Sequence, residues 1–138
     1  QLYNDASKSK KLCEMILKVI KKCDLTLKIV GQFNSVLEEV CNEHNQPFIA
    51  EAFIDRRYNS DLSLVQRSKI NAMIDSVNEQ VLQAKQIVIN RSIIVDDHPI
   101  TIRAETLCVH GDHPGALASL RLIRSAIEAE GIEIKYYA

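Results

Sequence analysis

From Asp5 to Cys23 the apolar residues Leu12, Ile16, Val19, Ile20 and Cys23 recur at helical spacing while lysines fill the other side, which predicts an amphipathic helix. Leu27–Val30 is a short apolar run that predicts a strand, broken at Gly31. Ser35 followed by Glu38 forms a capping-box pattern and starts a second helix to about Glu43. Phe48–Phe53 is almost continuously apolar, as expected of a strand covered on both faces in a parallel sheet, with Glu51 the exception. A polar stretch from Asp55 to Ser63 then leads to a helix over Met73–Ala84, with Ile74, Val77, Val81 and Leu82 as its inner stripe.

Gln86–Asn90, Ser92–Val95 and Ile100–Arg103 read as strands, the last two joined by Asp96-Asp97-His98-Pro99 as a hairpin. Leu107-Cys108-Val109 is a further strand running into His110-Gly111-Asp112-His113-Pro114-Gly115. The helix that follows has the stripe Ala116, Leu120, Ile123 and Ile127, with Pro114 in its first turn and Asp112 or His113 as cap. Gly131 closes it, and Ile132–Tyr136 alternates like a final strand. Alternating strands and helices favour an α/β fold with mostly parallel strands and one hairpin, in which ligands gather at the carboxyl ends of strands.

Composition narrows the function classes. The 138 residues are 46% hydrophobic and 25% charged, with no repeat or linker, so residues 1–138 read as a single globular domain. Lys+Arg 17 against Asp+Glu 18 leaves no positive excess for a phosphate backbone or an anionic membrane, so nucleic acid and membrane are poor partners. No apolar run is long enough to span a bilayer, and Gln1–Lys11 lacks the charged-then-apolar order of a signal segment; a cytoplasmic location is expected. Cys13, Cys23, Cys41 and Cys108 are widely spaced and read as reduced apolar fillers.

Two places break the apolar strands. Glu51 lies in a two-sided strand, where a carboxylate needs a partner or a wet mouth, and Asp55-Arg56-Arg57-Tyr58 follows it. An ion pair of Glu51 with Arg56 or Arg57 that ties the loop down is an equally simple reading. The second place is His110-Gly111-Asp112-His113, a strand-to-helix turn suited to an anion, with His110 able to move protons near neutral pH. A plain helix cap explains the same residues, and three near-adjacent residues make a poor metal site. Glu51 and His110 are expected to meet at one cavity mouth.

These segments carry a resemblance. Phe48–Tyr58 is similar to the E-A-F-x-D-R-x-Y segment of the LamB/YcsF family, which comprises the A subunits of 5-oxoprolinase, and Leu107–Ala116 to its I-C-V-H-G-D-x-P-x-A signature. Leu64-Val65-Gln66-Arg67-Ser68 resembles its L-V-x-R-S, Glu79–Leu82 a helix start, and Leu2-Tyr3-Asn4 the end of K-P-H-G-A-L-Y-N. Asp61-Leu62-Ser63 stands where the family tends to have a glycine turn.

The resemblance implies the later part of an irregular (β/α) barrel like that of sugar deacetylases. Its earlier motifs have no counterpart here, so an open edge, an incomplete pocket and homo-oligomer formation are expected. It also implies ATP-dependent opening of the lactam 5-oxoproline to glutamate with partner subunits B and C, ATP acting through the assembled complex. Under it His110, Asp112 and Glu51 are catalytic, Arg56, Tyr58, Asp55 and Gly111 bind substrate, and no metal ligand is assigned. Two alternatives stay open: a non-catalytic anion-binding or interaction module of the same fold, and a metal-dependent deacetylase-like barrel protein.

Overall fold

The computed structural model describes residues 2–23, 26–112 and 115–136. They cluster into two compact units, one of Gln1–Ala52 with Arg103–Thr106, the other of Phe53–Ile102 with Leu107–Ala138. A three-stranded sheet has the order β1 (Ile29–Gln32), β2 (Phe48–Phe53), β5 (Thr106–Cys108), and β3 (Ser92–Val95) pairs with β4 (His98–Thr101) in a hairpin. The fold is α/β, and β1 and β2 run parallel, from Ile29 opposite Phe48 to Gln32 opposite Glu51.

In the first unit the single helix expected over Asp5–Cys23 is two, α1 (Leu2–Ala6) and α2 (Lys10–Cys23). The Ser9 hydroxyl accepts the Leu12 amide and starts the second helix afresh. Its buried stripe is also turned by one position. Cys13 and Leu17 are buried, Leu12, Ile16 and Ile20 flank them, and Val19 and Cys23 face solvent. That face packs on α3 (Val36–Glu43), which contributes Leu37, Val40 and Cys41 to the same core. Ser35 caps α3 as the pattern predicts, accepting the Glu38 amide, while Glu38 takes the Asn34 amide.

Strand β1 begins two residues later than the apolar run indicates, because its register with β2 fixes the pairing at Ile29 and leaves Leu27 exposed. Gly31 lies inside the strand rather than breaking it. A Cβ there would sit 2.9 Å from Phe48 Cε2 and 3.0 Å from Leu37 Cδ2, so the glycine permits close packing. The Glu105 amide donates to the Ala50 carbonyl.

In the second unit α4 spans Val77–Asn90, capped by Ser76 and ended by the left-handed Arg91. Gln86–Asn90 is therefore helix, not strand, because Gln80, Ala84 and Ile87 form one continuous buried stripe; Leu82, expected inside, is exposed. Helix α4 packs on α5 (Ala116–Glu128), whose buried residues are Ser119, Ile123 and Ile127, while Leu120 is exposed. Small side chains, Ala84 and Ser119, replace the larger ones expected on these faces. In the β3–β4 hairpin Asp96 and Asp97 both take positive φ, the two-residue turn that matches strand twist. Gly131 is left-handed as expected, but Ile132–Tyr136 forms no strand: Ile134 and Tyr136 are exposed and no partner strand lies beside them among the described residues. Among the described residues no helix is long and apolar enough to cross a membrane.

Candidate functional site

The site grows from the loop after β2. The Ile54 amide donates to the Cys108 carbonyl, the Asp55 carbonyl accepts the Ile74 amide, and the Arg57 amide reaches the Ala72 carbonyl. Isolated bridges pair Arg56 with Met73 and Tyr58 with Leu64. Tyr58 is buried and its hydroxyl accepts the Phe53 amide at 2.6 Å, folding the loop back on its own strand. Gln83 of α4 donates to the Phe53 and Arg56 carbonyls. Arg56 is buried and donates from Nη2 to the Val65 carbonyl at 2.7 Å. Leu62, in the Asp61-Leu62-Ser63 turn, takes φ 67, a left-handed conformation that glycine adopts more readily.

This scaffold holds Asp55 at 2% exposure with its carboxylate on His110. Oδ2 accepts both the His110 backbone amide, at 2.7 Å, and Nδ1 of its ring, at 2.8 Å. The imidazole stacks on Phe53, centroids 5.9 Å apart and planes 24° apart. Its Nε2 lies 2.6 Å from Nη2 of Arg67. A carboxylate only accepts and a guanidinium only donates, so both contacts assign one form: neutral imidazole with its proton on Nδ1 and a lone pair on Nε2. Asp55 Oδ1 has no partner among the described residues, a buried orphan of the kind that structure alone rarely retains.

The loop is cationic around that one carboxylate. Burial lowers the pKa of Arg56 from the ordinary guanidinium value, and repulsion from Arg67 lowers it further, against the pull of Asp55. Arg67 and the stacking Phe53 are the site residues that sequence reasoning passes over. Arg67 lies in Leu64–Ser68, a segment whose likeness to L-V-x-R-S gives its arginine no role, and its contact spans 43 positions.

The other expected groups have surroundings of their own. Glu51, in the first unit, is half-buried and accepts from the Tyr3 hydroxyl at 2.9 Å. The ion-pair alternative is not what either arginine makes: Arg57 pairs with Glu79 at 2.9 Å and Arg56 holds Val65. Gly111 and Asp112 are exposed after β5. Asp112 is not the cap of α5, whose N-cap is Gly115 with no side-chain bond; the turn places that boundary three residues later. His113 and Pro114 lie outside the described residues. Among the described residues no three His, Cys, Asp or Glu side chains gather closely enough to hold a metal.

The LamB/YcsF family model matches residues 1–138. The chain is 34% identical over 132 residues to the 5-oxoprolinase A subunit of Histophilus somni, across 95% of this chain and 53% of that protein. It is 36% identical over 137 residues to the second 5-oxoprolinase A subunit of Bordetella bronchiseptica, across 97% and 54%. Among solved structures, a lactam utilization protein from Thermus thermophilus superposes with a TM-score of 0.89 at 28% identity, covering 99% of this chain and 54% of that one. The chain spans about half the length of the relatives it matches.

Proposed function

Because the chain belongs to the LamB/YcsF family, we propose that it serves in opening a lactam, 5-oxoproline, to glutamate, as the A component of an ATP-dependent assembly with subunits B and C. Relatives named as A subunits of 5-oxoprolinase support this reading, and so does the likeness to a lactam utilization protein. On the same reading the chain forms the later part of an irregular (β/α) barrel, and it acts in the cytoplasm.

The observation that carries the chemistry is the Asp55–His110 pair. A lactam resists water because amide resonance is lost on attack and the ring nitrogen leaves as a basic amine. In the assembly ATP would supply a phosphoryl group to the lactam oxygen, making the ring carbon electrophilic; ring opening then leaves an acyl phosphate, which a second water splits to glutamate and inorganic phosphate. No phosphate-loop motif occurs in the sequence, so ATP is assigned to the assembled complex rather than to these residues.

What remains is proton traffic. Water attacking the ring carbon must lose a proton, and the ring nitrogen must gain one as the C–N bond breaks. His110 Nε2 takes the first and returns it to the nitrogen, while Asp55 holds the ring and stabilises the imidazolium in between. Gly111, Asp112 and the amides opening α5 flank the bound ring, with Tyr58 as a supporting group.

A non-catalytic anion-binding module of the same fold is the competing reading, favoured by the half-length match. One assay separates the two: the His110→Ala variant assembled with subunits B and C, ATP and 5-oxoproline, with glutamate measured. Catalysis predicts a loss of about a hundredfold or more. Normal turnover by the variant, or no turnover by the unaltered protein, contradicts it.

A further inference from the structure

We propose that Arg67 is the seat of a substrate oxyanion and, in binding it, uncovers Nε2 of His110, so that the base is released only when the anion is present. The second half rests on His110 being the proton carrier; the seat itself stands apart from that.

Three observations lead there. First, Arg67 is exposed and its hydrogen-bond partner is a neutral ring nitrogen, not a carboxylate. Two other arginines of this unit have acids: Arg57 has Glu79 and Arg124 has Glu128. A guanidinium binds a two-oxygen anion through parallel N–H bonds far better than it binds one imidazole nitrogen. Second, the positive charge here is only partly offset, by Asp55. Arg56 lies close enough to Arg67 for their repulsion to register, its Nε is buried without a partner among the described residues, and the Asp55 oxygen that makes bonds is spent on His110. An arriving anion relieves that repulsion. Third, the contact Arg67 makes at rest blocks the lone pair the reaction needs. With Nδ1 tied to Asp55, Nε2 is the only nitrogen that can accept a proton, and Arg67 covers it.

A guanidinium drawn onto an oxyanion gives up that bond, and the lone pair opens beside the bound substrate. The class of ligand is a small carboxylate or phosphoryl oxyanion. The carboxylate comes from the substrate amino-acid lactam itself, and the phosphoryl group from the activated substrate.

The test is binding, followed by the His110 imidazole ¹⁵N resonances and by calorimetry, with three probes added separately: 5-oxoproline, 2-pyrrolidinone (the same ring without a carboxylate) and inorganic phosphate. The proposal expects an oxyanion probe to shift the Nε2 resonance and 2-pyrrolidinone to leave it in place. A response to 5-oxoproline alone identifies the carboxylate as the ligand, and a response to phosphate identifies the phosphoryl group; either supports the seat. Arg67→Gln should weaken oxyanion binding at least about tenfold with an unchanged unfolding midpoint, and Arg67→Lys should restore part of it. No oxyanion response, an equal response to 2-pyrrolidinone, or undiminished binding by Arg67→Gln overturns it. Because no turnover is read, a failed seat is distinguishable from a failed His110 mechanism.

Discussion

One oxygen of Asp55 accepts both the backbone amide and the ring Nδ1 of His110, at 2.7 and 2.8 Å, across 55 positions of sequence. The double bond fixes the position of the residue and the orientation of its ring together. A side chain that would otherwise rotate freely at a strand end becomes a preset base with a defined lone pair.

Asp55→Asn tests the charge without disturbing the shape. The amide oxygen can still accept both donors, but the negative charge that steadies an imidazolium is gone. Turnover of the assembled complex is expected to fall by about a hundredfold or more with KM little changed. Asp55→Ala, which leaves the His110 amide without its acceptor, should in addition lower stability by about 1–3 kcal/mol in a denaturant titration.

The strand carrying Glu51, the capped helix at Ser35 and the hairpin at Asp96–Asp97 are legible in the sequence, because each has a local signal. The pairing of Asp55 with His110 has none. Asp55 stands in the right segment, but whether its carboxylate faces substrate or imidazole depends on the fold-back of residues 56–74, set by bonds such as Tyr58 to Phe53 and Arg57 to Ala72. Periodicity misplaces the helix faces at Leu82 and Leu120, because close packing of α4 on α5 selects small Ala84 and Ser119 over larger neighbours. Arg67 stands in a motif-like segment but gains no role from it, because its partner His110 is 43 positions away.

Gly111→Ala separates a ligand surface from a structural need. Gly111 is exposed, and a Cβ built on it meets nothing within 4 Å. The unfolding midpoint should therefore match the unaltered protein. If substrate approaches this backbone, KM rises by roughly tenfold, about 1.4 kcal/mol of lost binding. An unchanged KM removes Gly111 from the binding surface.

Gly31→Ala should do the opposite, harming the fold through crowding against Phe48 and Leu37. Both neighbours are packed side chains, so the expected cost is about 1–3 kcal/mol, read as a lower urea midpoint. A midpoint equal to the unaltered protein would show that Phe48 gives way freely.

Stability should decline in alkaline solution through Cys41. Burial first, and then the nearby Cys13 and Glu38, pushes its thiol from 9.0 up to about 11. Below 9.0 folded and unfolded chains both hold this proton. Between 9.0 and about 11 the unfolded chain releases it and the folded chain does not, so rising pH favours unfolding. Urea titrations across that window should show a shallower decline for Cys41→Ala than for the unaltered protein; parallel slopes would contradict the assignment.

The most direct test of the account is the protonation pattern of the His110 ring in the free protein, read from its two imidazole ¹⁵N resonances with Asp55→Asn as reference. The account predicts a protonated Nδ1 and a bare Nε2, with that preference weakened in Asp55→Asn. A proton on Nε2 and a bare Nδ1 would contradict it, because Asp55 would then have no ring proton to accept and His110 no lone pair to offer substrate.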